Sequence, residues 1–267
     1  MTGSAPLWSF DDYYRISGAP AMRAVERVVC GCEYGATSWT TRAEADRMVG
    51  QLELRSGTTL LDIGAGAGWP ALYLAKLSGC DLTLVDLPGE GLRIAAERAA
   101  AERCRGKVSI VGADAARIPL PDNRFDAISH SDALCCLVEK QAVLSECRRV
   151  AREGARMVFT VILVAPGISA AQRKTAVAAG PEFVDADETY ALMLERAGWA
   201  LSENEDLTTG FVASLRRSLE ALEENASELE MLAGAEVLDE WRGKRALASA
   251  AASAGLLRRE QFAAVAA

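Results

Sequence analysis

His130, Cys135 and Cys136 fall within one short stretch, HSDALCCL, at residues 130–137, and His130 is the single histidine of the chain. As chemistry, such a group offers a metal site, a thiol nucleophile with its base, or the wall of a ligand pocket. Adjacent cysteines diverge on a strand or a helix, and Cys30 and Cys32 lack the CxxC spacing of a zinc or redox motif. No metal is expected. A nucleophilic thiol would need a lowered pKa and a neighbouring base, so the cysteines read as small hydrophobes.

A second group is LLDIGAGAGWPALYLAKLSGCDLTLVDL, where a strand ends at Asp62-Ile63 and Gly64, Gly66 and Gly68 follow before a helix near Pro70. Glycines there allow a sharp turn and let a ligand lie against bare main chain. At the end of the next strand stands Asp86, whose carboxylate can accept from both hydroxyls of a ribose. A dinucleotide site calls for G-x-G-x-x-G to seat a pyrophosphate. Here the spacing is G-x-G-x-G, with Trp69 where the third glycine would fall, and an indole would crowd a pyrophosphate. Further on, VGADAARIPLPDNRFDAIS places Asp114 after a third strand, where a carboxylate can accept from an exocyclic amine such as that of adenine.

The elements that must position these residues alternate. TLLDI, DLTLVD, KVSIV, FDAIS and ARMVFTVIL read as strands, separated by helical PALYLAKLSG, EGLRIAAERAAAE and EKQAVLSECRRVA. This pattern predicts an α/β fold: a doubly wound, mostly parallel, seven-stranded sheet with helices on both faces and a ligand beyond the strands' carboxyl ends. WALSENED and QFAAVA supply two late strands. Residues 1–55, with helical patterns from Met22 to Cys30 and in TTRAEADRMVGQL (Thr40 or Thr41 as cap), form a helical cap on a Rossmann-like domain over residues 56–267. Helical insertions are expected near 165–185 and 207–252, over the pocket.

A net charge of -8 offers no basic footprint for nucleic acid. The N-terminus has no basic region leading into an apolar run, no stretch is long enough to span a bilayer, and seven scattered cysteines suit reduced thiols. A cytoplasmic protein, monomeric or homodimeric, without membrane insertion, is the expectation.

The glycine loop, the acids after strands two and three, and PLPDNRFDAI leading into strand four resemble, in that order, class I S-adenosylmethionine-dependent methyltransferases. YGATSWTTRAEADRMVGQLELRSGTTLLDIGAGAGWPALYLA is similar to the cap and first motif of their small-molecule branch, which includes phosphoethanolamine, sarcosine and sterol or ubiquinone methyltransferases. The resemblance implies S-adenosyl-L-methionine as cofactor, S-adenosyl-L-homocysteine as product and a small-molecule methyl acceptor at N, O or C. It implies Thr37, Ser38, Gly64, Gly66 and Gly68 at the amino-acid part of the cofactor, Asp86 and Leu87 at ribose, Asp114 and Ala115 at adenine, Ser129 and His130 beside the methionine and the acceptor, and Asp62 among the cofactor-binding residues. The sequence departs at Cys136, where phosphobase methyltransferases carry a catalytic histidine, whereas Asp132 is kept.

Methyl transfer is an in-line displacement that needs a base only when the acceptor arrives protonated. His130 is the expected base, with Asp132 beside it and Tyr14, next to Tyr13, orienting the acceptor. Trp39 and Trp69 read as packing residues. The alternative is a protein of the same fold that binds the cofactor, has lost methyl transfer and acts as a regulator or partner; the missing histidine supports it.

Overall fold

The computed structural model describes residues 9–87 and 89–267. The cap comprises helices α1 (Phe10–Ile16), α2 (Pro20–Cys30) and α3 (Arg42–Gln51). Then come β1 (Thr59–Ile63), α4 (Ala71–Ser78), β2 (Asp81–Asp86), α5 (Glu90–Ala101), β3 (Val108–Gly112), β4 (Phe125–Ser131), α6 (Lys140–Val150) and β5 (Ala151–Val164). The remainder is α7 (Ala170–Ala179), α8 (Tyr190–Arg196), β6 (Trp199–Asp206), α9 (Thr208–Glu224), α10 (Ala226–Ala233), α11 (Ala235–Ser253) and β7 (Leu257–Ala266).

The local causes are visible in the sequence. Thr41 and Glu44 form a reciprocal capping box that starts α3, satisfying two main-chain donors that the first turn would otherwise leave open. Pro20 opens α2, and Gly31 closes it in the left-handed conformation, as Gly79 closes α4. Two helices lie outside the sequence expectation. α1 is held by a Ser9–Asp12 capping box, and α8 by Thr189; both are too short to show a clear apolar period. The helical insertion expected near 207–252 is broken at Asn225 and Gly234 into α9, α10 and α11.

The strands form one sheet in the order β3-β2-β1-β4-β5-β7-β6. The first five are parallel, and β7 runs antiparallel to both β5 and β6, which is the mostly parallel seven-stranded sheet expected. Strand order reverses between β1 and β4, and a crevice opens beyond their carboxyl ends. One apolar layer, including Leu61, Ile63, Ile128 and Phe159, fills one face, and Leu60, Leu82, Leu84, Ala127 and Val158 fill the other. Burying each of the leucine, isoleucine, valine and phenylalanine side chains among them is worth about 1.5–3 kcal/mol, so the crevice rests on a packed base. α9 packs on α2 and α11, and α11 on α7, so the expected insertions join the cap in one helical layer. Among the described residues no helix is long and apolar enough to cross a membrane.

Candidate functional site

The crevice is floored by the loop from Gly64 to Gly68. Main-chain N–H groups of Gly64 and Ala65 both donate to the Val85 carbonyl, which ties the loop to the end of β2. Gly64 and Gly66 have φ of +68° and +50°, a region open to glycine at little cost. A Cβ on Gly64 would stand 2.8 Å from Cβ of Ala133, and one on Gly66 2.3 Å from the Tyr14 hydroxyl. Both glycines are therefore required by closeness as well as by angle.

Asp86 ends β2 beside the glycine loop. Its carboxylate accepts N–H bonds from Gly66 and Leu87, each 2.7 Å, and each oxygen keeps a lone pair for a further donor. Burial pushes its pKa up, and the two N–H donors oppose the shift. Leu87 beside it is exposed. Asp62 is buried deeper, accepting from the Ser129 hydroxyl at 2.5 Å, and burial raises its pKa to about 8. Asp114 stands half-buried beyond β3, accepting from the Ala116 N–H and Arg117; those partners, the N–H first, lower its pKa. Ala115 packs at the edge of the core beside it.

From the cap, Tyr14 reaches over the glycine loop, its hydroxyl 3.1 Å from that of Thr37. Burial raises its pKa, so it stays protonated at neutral pH and is suited to orienting rather than to proton abstraction. Tyr13 packs edge-on against Trp241. Tyr14, Thr37, Ser38, Gly64, Gly66 and Ser131 line a partly open recess of about 20 Å³, room for a water molecule. Trp69 also borders it, with its indole N–H donating to the Thr40 carbonyl at 2.8 Å and its ring between Tyr34 and Tyr73. Trp39 packs edge-on against Phe211. Both tryptophans pack as the sequence suggested.

Two expected catalytic residues have other surroundings. Successive strand residues point to opposite faces: Ser129 turns toward Asp62 and Ser131 toward the cavity, which sends the His130 ring to the far face. There it is fully buried, stacked at 4.4 Å on Phe159, with neither ring nitrogen hydrogen-bonded. Burial depresses its pKa to about 3. The expectation that His130 lines the pocket as its base is corrected accordingly; the cavity residue is its neighbour Ser131, whose hydroxyl is buried without a partner.

Asp132 is also committed elsewhere. Its carboxylate takes Nε and Nη2 of Arg259 at 2.9 and 3.2 Å, the Ser38 hydroxyl at 3.0 Å and the Trp39 N–H at 2.8 Å. So many donors leave it a holding group, and the expected catalytic assignment gives way to that one. Its backbone lies in the left-handed region, φ +55°, at a cost of about 1–2 kcal/mol for a non-glycine residue. Arg259 was not foreseen. It carries no motif, and its only signal is a cation at an inward position of a strand. Cys136 is half-buried at the end of a short 3-10 turn after β4, and the Cys135 thiol donates to the Asp132 carbonyl at 3.1 Å.

Comparison with known proteins bears on the family and the fold. Residues 61–159 match the family model described as a methyltransferase domain. The 27-O-demethylrifamycin SV methyltransferase of Amycolatopsis mediterranei is 32% identical over 173 residues, 63% of each chain. Phosphoethanolamine N-methyltransferase of Triticum aestivum is 27% identical over 203 residues, 74% of this chain and 40% of that one. The match thus spans less than two thirds of either relative's length. A crystal structure of a mycolic acid cyclopropane synthase complexed with S-adenosylhomocysteine superposes with a TM-score of 0.77 at 17% identity, covering 96% of this chain and 94% of that one; at that identity the likeness is one of fold.

Proposed function

We propose, for a chain that belongs to the class I S-adenosylmethionine-dependent methyltransferases, that it transfers a methyl group from S-adenosyl-L-methionine to a neutral, hydroxyl-bearing small molecule. The observation that carries the cofactor reading is the pairing of the glycine cradle at Gly64 and Gly66 with the carboxylate of Asp86, bonded to the Gly66 N–H. The residues present fit the group. Bare main chain admits close approach, Asp86 has lone pairs for two ribose hydroxyls, and the buried Ser131 hydroxyl lacks a partner. Thr37 and Ser38 would meet the methionine end, and Asp114, freed from part of its bond to Arg117, the adenine amine. Bound there, the cofactor supplies an electrophilic methyl group.

This chain's own residues orient the acceptor and keep water out. Tyr14 closes over the loop as a protonated hydroxyl able to hold an acceptor oxygen or a cofactor carboxylate. Two ionisable side chains near the end of β4 support the choice of a neutral acceptor. Asp132 is spent on Arg259, and the Lys140 ammonium donates to the Leu137 and Phe183 carbonyls at 2.7 and 2.6 Å. A phosphate or a cationic amine would find neither free. The Amycolatopsis relative, a 27-O-demethylrifamycin SV methyltransferase, is named for an oxygen position, which supports a hydroxyl as the acceptor group.

The test is turnover with S-adenosylmethionine and separate acceptor sets: polyhydroxylated macrocycles and phenols, phosphoethanolamine, and glycine or sarcosine. We expect S-adenosylhomocysteine and a methylated product with the first set alone. Turnover of phosphoethanolamine would reverse the acceptor assignment. Cofactor binding with no turnover in any set would favour the non-catalytic alternative.

A further inference from the structure

Arg259 lies at an inward position of β7, paired across the sheet with Ile162 of β5, and only 1% of its side chain is exposed. A guanidinium buried so completely is costly unless every donor is met. Here Nε and Nη2 grip the two oxygens of Asp132, Nη1 lies 3.1 Å from both oxygens of Glu44, and Nη2 also donates to the Thr40 hydroxyl at 3.0 Å. The three anchors come from separate parts of the chain: Glu44 from α3, Thr40 from the loop before it, and Asp132 from the turn after β4.

The same Asp132 carboxylate holds Ser38 and Trp39 of the cap loop. Ser38 in turn accepts from the Thr40 N–H at 3.0 Å while lining the cavity beside Gly64 and Gly66. The Ser38 hydroxyl thus donates inward to Asp132 and accepts one N–H, which leaves an oxygen lone pair for a donor arriving from the cavity. Two carboxylates on one guanidinium also leave one negative charge uncompensated behind that hydroxyl, a polarity that favours a cationic donor.

We propose that Arg259 is a positioning residue: through Asp132 it fixes the Ser38–Trp39 turn so that this turn receives the α-ammonium end of the cofactor's methionine part. The inference rests on the cofactor reading above, and it separates the site into a nucleoside half set by Asp86 and an amino-acid half set by a residue on the last strand. Lysine cannot reproduce the fork, because its ammonium is a single point of donors.

Binding of two ligands to Arg259→Lys and Asp132→Asn, by calorimetry on the full chain, tests it: S-adenosylhomocysteine, which carries the amino-acid end, and 5′-methylthioadenosine, which lacks it. The expected result is a loss of about tenfold or more in affinity for S-adenosylhomocysteine, with methylthioadenosine held within about twofold. Equal losses for both ligands would reduce Arg259 to a general structural role, and no loss for either would remove it from the site. Failure of the wild-type chain to bind either ligand would overturn the cofactor reading and this inference together. If either variant loses the far-UV spectrum of the wild type, Thr40→Val, which removes one partner of Arg259 and leaves the buried charges, carries the same comparison. It should show a smaller loss with the same selectivity, and an unselective loss overturns the proposal.

Discussion

At the scale of single residues, His130 shows how a strand's phase decides a role. Stacked on Phe159 of the neighbouring strand without a hydrogen bond, it stays neutral in the folded chain down to a pH of about 3, against 6.5 for an ordinary histidine. Between those values the unfolded chain takes up a proton that the folded chain does not, so the contribution of His130 to stability is full above 6.5 and is lost as pH falls. Asp62 has the opposite sign. With its pKa raised from 3.8 to about 8, the folded chain holds a proton there that the unfolded chain releases, and stability drops as pH rises through that range. Urea unfolding of His130→Phe beside the wild type isolates the histidine, because Asp62 is common to both. The wild type should lose about 2 kcal/mol relative to the variant between about pH 7 and about pH 5. Parallel pH curves would place the ring in contact with water or with a hydrogen-bond partner.

Elements explain why the cavity is so small. Helix α1 packs on α5, its Asp11 accepts the Glu90 N–H at 2.8 Å, and Tyr14 stands over Gly66. The resulting space of about 20 Å³ is far below the roughly 300 Å³ or more of an ordinary small-molecule site. On the cofactor reading proposed above, α1 moves to admit the part of the ligand that lies beside Gly66. Hydrogen exchange should show α1 amides exchanging readily in the free chain and more slowly once S-adenosylhomocysteine is bound, with the amides of β1 and β4 unchanged. Identical protection of α1 in both states would mean that the helix does not gate the cofactor.

The elements also mark what could be read from sequence. The run from Thr59 to Asp86 shows its strands, its glycine turn and its acid in order, because each is fixed by neighbours a few residues away, and the structure keeps them all. The positions that escaped depend on contacts distant in the chain. FDAISHS buries both faces of its strand, so no polar alternation tells which of Ser129, His130 and Ser131 meets the crevice. Glu44 announces itself as a capping residue, but its second task, pairing with Arg259 more than two hundred residues on, leaves no local trace. Asp132 reads as a catalytic acid until the residue that neutralises it is known.

For the whole molecule, the proposed site has two halves on two kinds of support. The nucleoside half stands on β1 and β2, rigid and buried on both faces. The amino-acid half hangs on a turn tied across β4, β7 and the cap by one buried ion cluster. An acidic chain of net charge -8 repels anionic partners at long range, which suits a neutral acceptor better than a phosphorylated one. All of this depends on the cofactor lying against the glycine loop with its ribose on Asp86. Calorimetric titration of S-adenosylhomocysteine into the wild type and into Asp86→Ala measures that directly. The account predicts one site per chain in the wild type and affinity weaker by about tenfold or more in the variant; equal affinity in the two proteins, or no binding to the wild type, would contradict it.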